Sequence, residues 1–123
     1  MSQAELHVCI TCRAGEKPVS GEPVLGLRLF EAVAALQGPT MLRSVVCLGN
    51  CAQGCSAAVS QPGKWSYLLG HMGPGHAADL VAYAAAYAAS DNGTVWRSQR
   101  ADSLRDAIVA RIPGAGFVQA ETA

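Results

Sequence analysis

The chemistry-bearing residues of this chain are its five cysteines, four of which fall into two short clusters. Cys9-Ile10-Thr11-Cys12 is the first, and Cys47-Leu48-Gly49-Asn50-Cys51 the second, with Cys55 close behind it. Thiolates are soft donors that hold iron–sulfur clusters, zinc or cobalt, and a C-x2-C pair is also the arrangement of a redox dithiol. Two intervening residues let both sulfurs of one turn reach a single ion. Three do the same where the backbone folds tightly, and Gly49 is free to take a positive φ there. Backbone N–H groups around such a centre would stabilise its negative charge, and Ile10, Val46 and Leu48 would keep water from part of it. Three readings stand at this point: a [2Fe–2S] cluster with two cysteines on each iron, a tetrahedral zinc or cobalt site, and thiol redox chemistry.

The elements that must position these residues follow from periodicity. Glu5 to Ile10 reads as a short strand, and Arg13 to Pro23, marked by glycine and proline, as a loop. Val24 to Gln37 places Leu25, Leu29, Val33 and Leu36 at helical spacing, with Gly38-Pro39 to stop it. Met41 to Cys47 reads as a buried strand. Cys55–Ser60 and Lys64–Leu69 are two strands joined through Gln61-Pro62-Gly63, a hairpin signal. His76 to Ser90 is a second helix with Leu80, Tyr83, Ala84 and Tyr87 on its apolar face. A third helix starts at Ser98 or Asp102 and carries Leu104, Ile108 and Ile112 up to Pro113-Gly114; the last ten residues are a tail. Strand–helix–strand favours a parallel crossover, and a hairpin followed by a helix adds two more strands. The expected fold is α/β and thioredoxin-like: a four-stranded mixed sheet with two flanking helices in residues 1–90, and a C-terminal helical extension, residues 91–123, packed on the same domain. Both cysteine clusters then leave the same edge of the sheet, where open α/β sheets place their binding sites.

The thiol-redox reading fits these elements poorly. A C-x2-C dithiol wants its first cysteine at a helix N-terminus, and here the Arg13–Pro23 loop intervenes. Thioredoxins also set a proline before the hairpin strand, and that place is held by Cys55. The C-x3-C motif Cys47–Cys51, a glycine soon after it, and the strand-turn-strand around Pro62-Gly63-Lys64-Trp65-Ser66-Tyr67 resemble the thioredoxin-like [2Fe–2S] ferredoxins over roughly Glu5 to Ser90. The resemblance implies a [2Fe–2S] cofactor held by Cys9, Cys12, Cys47 and Cys51, a one-electron carrier rather than an enzyme, and pairing as a homodimer. The family usually separates its first two ligands by more residues than Cys9 and Cys12, and Cys55 is the alternative to Cys12. Over the whole chain, including Val95-Trp96-Arg97 and Arg111-Ile112-Pro113, the sequence is similar to a small family of predicted metal-binding proteins often encoded beside cobalt-chelatase genes of cobalamin synthesis. That implies service to cobalt corrinoid metabolism. The alternative from another class is a zinc- or cobalt-binding module without electron transfer, such as a metal-delivery protein.

Other residues take ordinary roles. His7 lies two residues before Cys9 and shares its strand face, while His71 and His76 flank a Gly-Pro-Gly turn; a packing or surface place for the first, and a solvated loop and a helix N-terminus for the others, suit them better than ligation. Trp65 and Tyr67 alternate on one sheet face. Arg97, Arg100, Arg105 and Arg111 give the C-terminal segment a basic bias, with Arg105 set to pair with Asp102 one turn earlier. The 123 residues are one domain's worth. Nine basic and nine acidic residues balance to zero, which excludes nucleic-acid binding built on bulk charge. No apolar run is long enough to span a membrane, and the N-terminus lacks the pattern of a secretory signal, so the expected location is cytoplasmic. No phosphate loop, dinucleotide fingerprint or catalytic triad is present. The expected partner is a redox protein, a reductase or an acceptor enzyme, with a basic surface to meet a negative cluster.

Overall fold

The computed structural model describes residues 3–13 and 21–114. The chain runs through β1 (Glu5–Cys9), α1 (Leu25–Leu36), β2 (Met41–Val45), β3 (Ala57–Ser60), β4 (Trp65–Leu69), α2 (Ala77–Ala89) and β5 (Ile108–Pro113). Short 3-10 turns at Cys51–Gln53, Pro74–His76, Arg97–Gln99 and Asp102–Leu104 connect them. The strands form one sheet in the order β2-β1-β3-β4-β5. β1 and β2 are parallel, as strands joined across a helix can be, and every other pair is antiparallel.

Alternation decides which side chains enter the core. Leu6 and Val8, Ala57 and Val59, Tyr67 and Leu69 are buried, whereas the alternate positions His7, Ala58, Ser60 and Leu68 are only half-buried. α1 contributes Leu29 and Val33, and α2 contributes Leu80, Tyr83, Ala84 and Tyr87; the two helices pack on each other, and α1 also on β1. Each buried Leu of this kind is worth about 1.5–3 kcal/mol. The β3–β4 hairpin closes through Pro62 and Gly63, with Gly63 at φ 86° and the Lys64 N–H donating to the Gln61 carbonyl at 3.1 Å, as a type II turn requires. None of the described helices is long and apolar enough to cross a membrane.

Three expectations are corrected. The sheet has five strands, not four. The C-terminal helix is absent: its place is taken by two 3-10 turns and β5, which pairs along β4 from Trp65↔Pro113 to Leu69↔Ile108. Ile108, Val109 and Ile112 are β-branched, and the open edge of β4 offers their backbone a ladder that an isolated helix lacks. β2 lies at the other edge and leaves Met41, Arg43 and Ser44 exposed rather than buried. Residues 14–20 of the expected loop and residues 115–123 lie outside the described residues.

The junction of the hairpin with α2 rests on one cation. Lys64 is 8% exposed, and its Nζ donates to the carbonyls of Tyr87 at 3.2 Å and Ala88 at 2.9 Å. Both carbonyls lie at the negative end of α2, where that of Tyr87 also accepts the Ser90 N–H at 3.2 Å. Burial lowers the Lys64 pKa, and Asp91 works against that shift. Lys64→Met keeps the apolar stem but strips both donors, so we expect denaturant titration to show a loss of about 1.5–3 kcal/mol. An unchanged midpoint would contradict this role.

Two tyrosines on α2 give a paired expectation. The Tyr87 hydroxyl donates to the Trp65 carbonyl at 2.6 Å, whereas the buried Tyr83 hydroxyl has no hydrogen-bond partner among the described residues. Tyr87→Phe should therefore cost about 1–2 kcal/mol and Tyr83→Phe be neutral or stabilising, because deleting an unpaired buried hydroxyl removes a desolvation cost. Burial raises both pKa values, that of Tyr87 to about 12. Between the ordinary tyrosine pKa of about 10 and that value, the unfolded chain releases protons that the folded chain keeps. Stability is then intact below pH ~10 and falls as pH rises toward 12, which tyrosinate absorbance followed beside circular dichroism will show.

Candidate metal centre

The parallel pairing of β1 and β2 sets Cys9 opposite Val45, so both cysteine loops leave the sheet at one edge. The first loop is held on three sides. The Ile10 N–H donates to the Val45 carbonyl at 2.9 Å, and the Gly26 N–H donates to the Cys12 carbonyl at 2.8 Å. The Thr11 hydroxyl donates to the Val46 carbonyl. Gly26 lies in the first turn of α1, and a Cβ there would overlap the Cys9 carbonyl oxygen. The bare glycine therefore lets α1 press on the Cys9–Cys12 turn. Cys9 and Cys12 end up buried, with the Cys9 thiol 3.6 Å from the Thr11 hydroxyl and 3.9 Å from the Val46 carbonyl.

The second loop is open to solvent. Cys47 and Cys51 are both exposed, and their Sγ atoms lie 4.0 Å apart. Gly49, at φ 73°, turns its N–H toward the Cys47 sulfur at 3.2 Å. Asn50 anchors the loop by donating to the Ser56 hydroxyl at 3.1 Å. Gly54 follows, joined to Cys55 by a cis peptide, and a Cβ on Gly54 would overlap the Cys12 sulfur. The two loops thus meet where the Cys12 thiol lies against Gly54. Cys55 is fully buried, its thiol 3.9 Å from the Cys12 carbonyl, and its backbone exchanges bonds with Met72.

Electrostatics ties the four thiols together. The Cys51 thiol is pushed above its usual pKa, first by its hydrogen bond with Cys47, then by repulsion from that sulfur, then by partial desolvation, and finally by charge on Cys12 and Cys9. The contact of the Cys12 sulfur with Gly54 sets the first turn beside the loop that carries Cys47 and Cys51. A tetrahedral ion with M–S bonds of about 2.3 Å holds two thiolates about 3.8 Å apart, close to the Cys47–Cys51 spacing of 4.0 Å. That pair is preformed. Among the described residues no group of three or more His, Cys, Asp or Glu side chains converges on one ion position, so Cys9 and Cys12 stand beside the pair rather than around a common point. Cys55, the alternative to Cys12, is packed into the core.

The remaining candidates have other partners. His7 is 3.1 Å from the Ser60 hydroxyl and 3.6 Å from Glu5. His76 accepts the Gly73 N–H through Nδ1 at 3.0 Å. Arg105 pairs with Asp102 at 2.9 Å, as the spacing suggested, and Arg97 with Asp106 at 3.1 Å. Arg111 covers the Trp65 ring at 4.1 Å. Sequence reasoning missed Gly26 and took Gly54 only as the glycine following the C-x3-C motif, whereas the cysteine turns pack against both. A glycine inside an otherwise good helix, as Gly26 is, was the available signal.

A family model described as "Protein of unknown function (DUF1636)" matches residues 6–114, and the chain belongs to that family. No curated protein and no solved structure matches the chain.

Proposed function

We propose that this DUF1636 protein is a thioredoxin-like [2Fe–2S] ferredoxin, a one-electron carrier whose cluster is held by Cys9, Cys12, Cys47 and Cys51. The observation that carries the reading is the exposed Cys47–Cys51 pair at 4.0 Å, set at the end of two parallel strands beside the turn whose Cys12 sulfur lies against Gly54. The donor set suits the group: all four atoms are soft sulfurs, and no carboxylate takes part. When bound, such a cluster supplies one reversible electron at a potential set by its ligands, hydrogen bonds and exposure. The chain would do the rest. Gly49 places an N–H on the Cys47 sulfur, the buried Cys9 and Cys12 turn keeps water from one side, and the exposed loop presents the other side to a redox partner.

The strand order of this sheet supports the thioredoxin-like assignment, with β5 as an added strand. Service to cobalt corrinoid metabolism rests on the sequence resemblance alone. A zinc or cobalt module is the second reading, favoured by one observation: the preformed part of the site is a single pair, half of a tetrahedral ion's ligands. Reductive titration of anaerobically purified protein separates the two. The carrier reading expects visible bands that bleach with about one electron per two irons and return on reoxidation. Protein that takes up no electrons contradicts it.

A further inference from the structure

The five thiols divide sharply by access. Cys9, Cys12 and Cys55 are 3%, 4% and 0% exposed, while Cys47 and Cys51 are open to solvent and already 4.0 Å apart. A disulfide needs sulfurs about 2.05 Å apart, and rotation of two unpacked side chains covers that gap. The loop between them can follow, since no residue from Cys47 to Gln53 is buried and Gly49 already holds a turn at φ 73°. The dithiol chemistry that fits Cys9 and Cys12 poorly is therefore available at the other cluster.

We propose that in the metal-free chain Cys47 and Cys51 form a redox-active dithiol, which small disulfides of the glutathione class oxidise to an intraloop disulfide, closing the site to metal until it is reduced. The loading block rests on the metal-centre reading; the dithiol does not. Either exposed sulfur can attack first. When Cys47 does, its sulfur loses its proton to solvent and attacks one sulfur of the small disulfide, and the S–S bond breaks with release of one small thiolate. Cys51 then gives its proton to water and attacks Cys47 Sγ, expelling the second. Two protein thiols lose two electrons, and one small disulfide gains them as two thiols.

The test uses the full chain, reduced and stripped of metal with a chelator, then incubated with glutathione disulfide. Remaining thiols are counted by alkylation and the bridge is mapped by peptide mass. The expected result is the joint loss of two thiols as a Cys47–Cys51 bridge, about ten-fold or more faster than any reaction of the three buried ones. Cys47→Ser and Cys51→Ser should each stop at a mixed disulfide on the remaining partner. Two separate glutathione adducts, an unreacted pair, or a bridge to Cys9, Cys12 or Cys55 in the unsubstituted chain would overturn the dithiol. Zinc uptake is then compared between oxidised and re-reduced chains, with at least about a ten-fold loss and full recovery expected if two of four ligands are withdrawn. Equal uptake overturns the loading block. A chain that forms the bridge yet takes up neither iron nor zinc when reduced upholds the dithiol and overturns the metal-centre reading with the block.

Discussion

Cys47→Ser or Cys51→Ser should abolish the metal centre while leaving the fold intact. Both side chains are exposed, so removing either sulfur costs the core nothing and folding stability should stay within about 0.5 kcal/mol of the parent chain. Each replacement takes away one of four thiolates and breaks the pair whose sulfurs already lie 4.0 Å apart. Serine oxygen is a harder, less acidic donor, and a soft ion or cluster should not tolerate it. Iron, sulfide and zinc assays on the purified variants provide the readout. Cys55→Ser makes the contrast: this thiol is wholly buried, so a hydroxyl in its place should destabilise the chain by about 1–3 kcal/mol, yet the centre should survive. Loss of the centre in that variant would transfer a ligand role to Cys55 and overturn the assignment of Cys12.

The second large effect is expected at the two glycines that hold the cysteine turns, and its form should differ between them. Gly26 sits in a helix, where alanine ordinarily gains about 1 kcal/mol. Here the added Cβ would overlap the Cys9 carbonyl oxygen and come within 3.1 Å of the Cys12 amide nitrogen. Backbone cannot rotate away, so either α1 or the cysteine turn must shift. Gly26→Ala should cost about 1–3 kcal/mol and reduce metal content as well. At Gly54 the obstacle is the end of a side chain, the Cys12 sulfur. That sulfur can swing aside, so Gly54→Ala should strike the metal centre harder than the fold. Gly75→Ala is the control, with nothing within 4 Å of the added atom; it should change stability by no more than about 0.5 kcal/mol. Equal behaviour of Gly26→Ala and Gly75→Ala in denaturation would refute the packing described for α1.

Much of this arrangement was legible in the sequence because short-range patterns carry it. The four-residue spacing of Leu25, Leu29 and Val33 gave α1, Leu80 to Tyr87 gave α2, and Pro62-Gly63 gave the hairpin. Once β1 and β2 are parallel, their cysteine loops must emerge together, so the gathering of the clusters also followed. What failed depends on distant contacts. Leu104, Ile108 and Ile112 are four residues apart and suit a helix as well as a strand; only the open edge of β4 decides between them. The exposure of β2 follows from its place at the sheet edge, which no local pattern records. The division of the thiols into a buried and an exposed set was equally hidden. It arises from α1 packing on the first loop through Gly26, across a connection whose middle lies outside the described residues.

The central claim is that the thiols of these two loops hold an iron–sulfur cluster. An absorption spectrum of anaerobically purified full-length protein, with iron, acid-labile sulfide and zinc determined on the same sample, tests it most directly. The expected result is a red-brown protein with visible sulfur-to-iron bands and about two irons and two sulfides per chain. A colourless protein holding about one zinc and no sulfide, and refusing iron on reconstitution, would contradict it and leave the zinc module in its place.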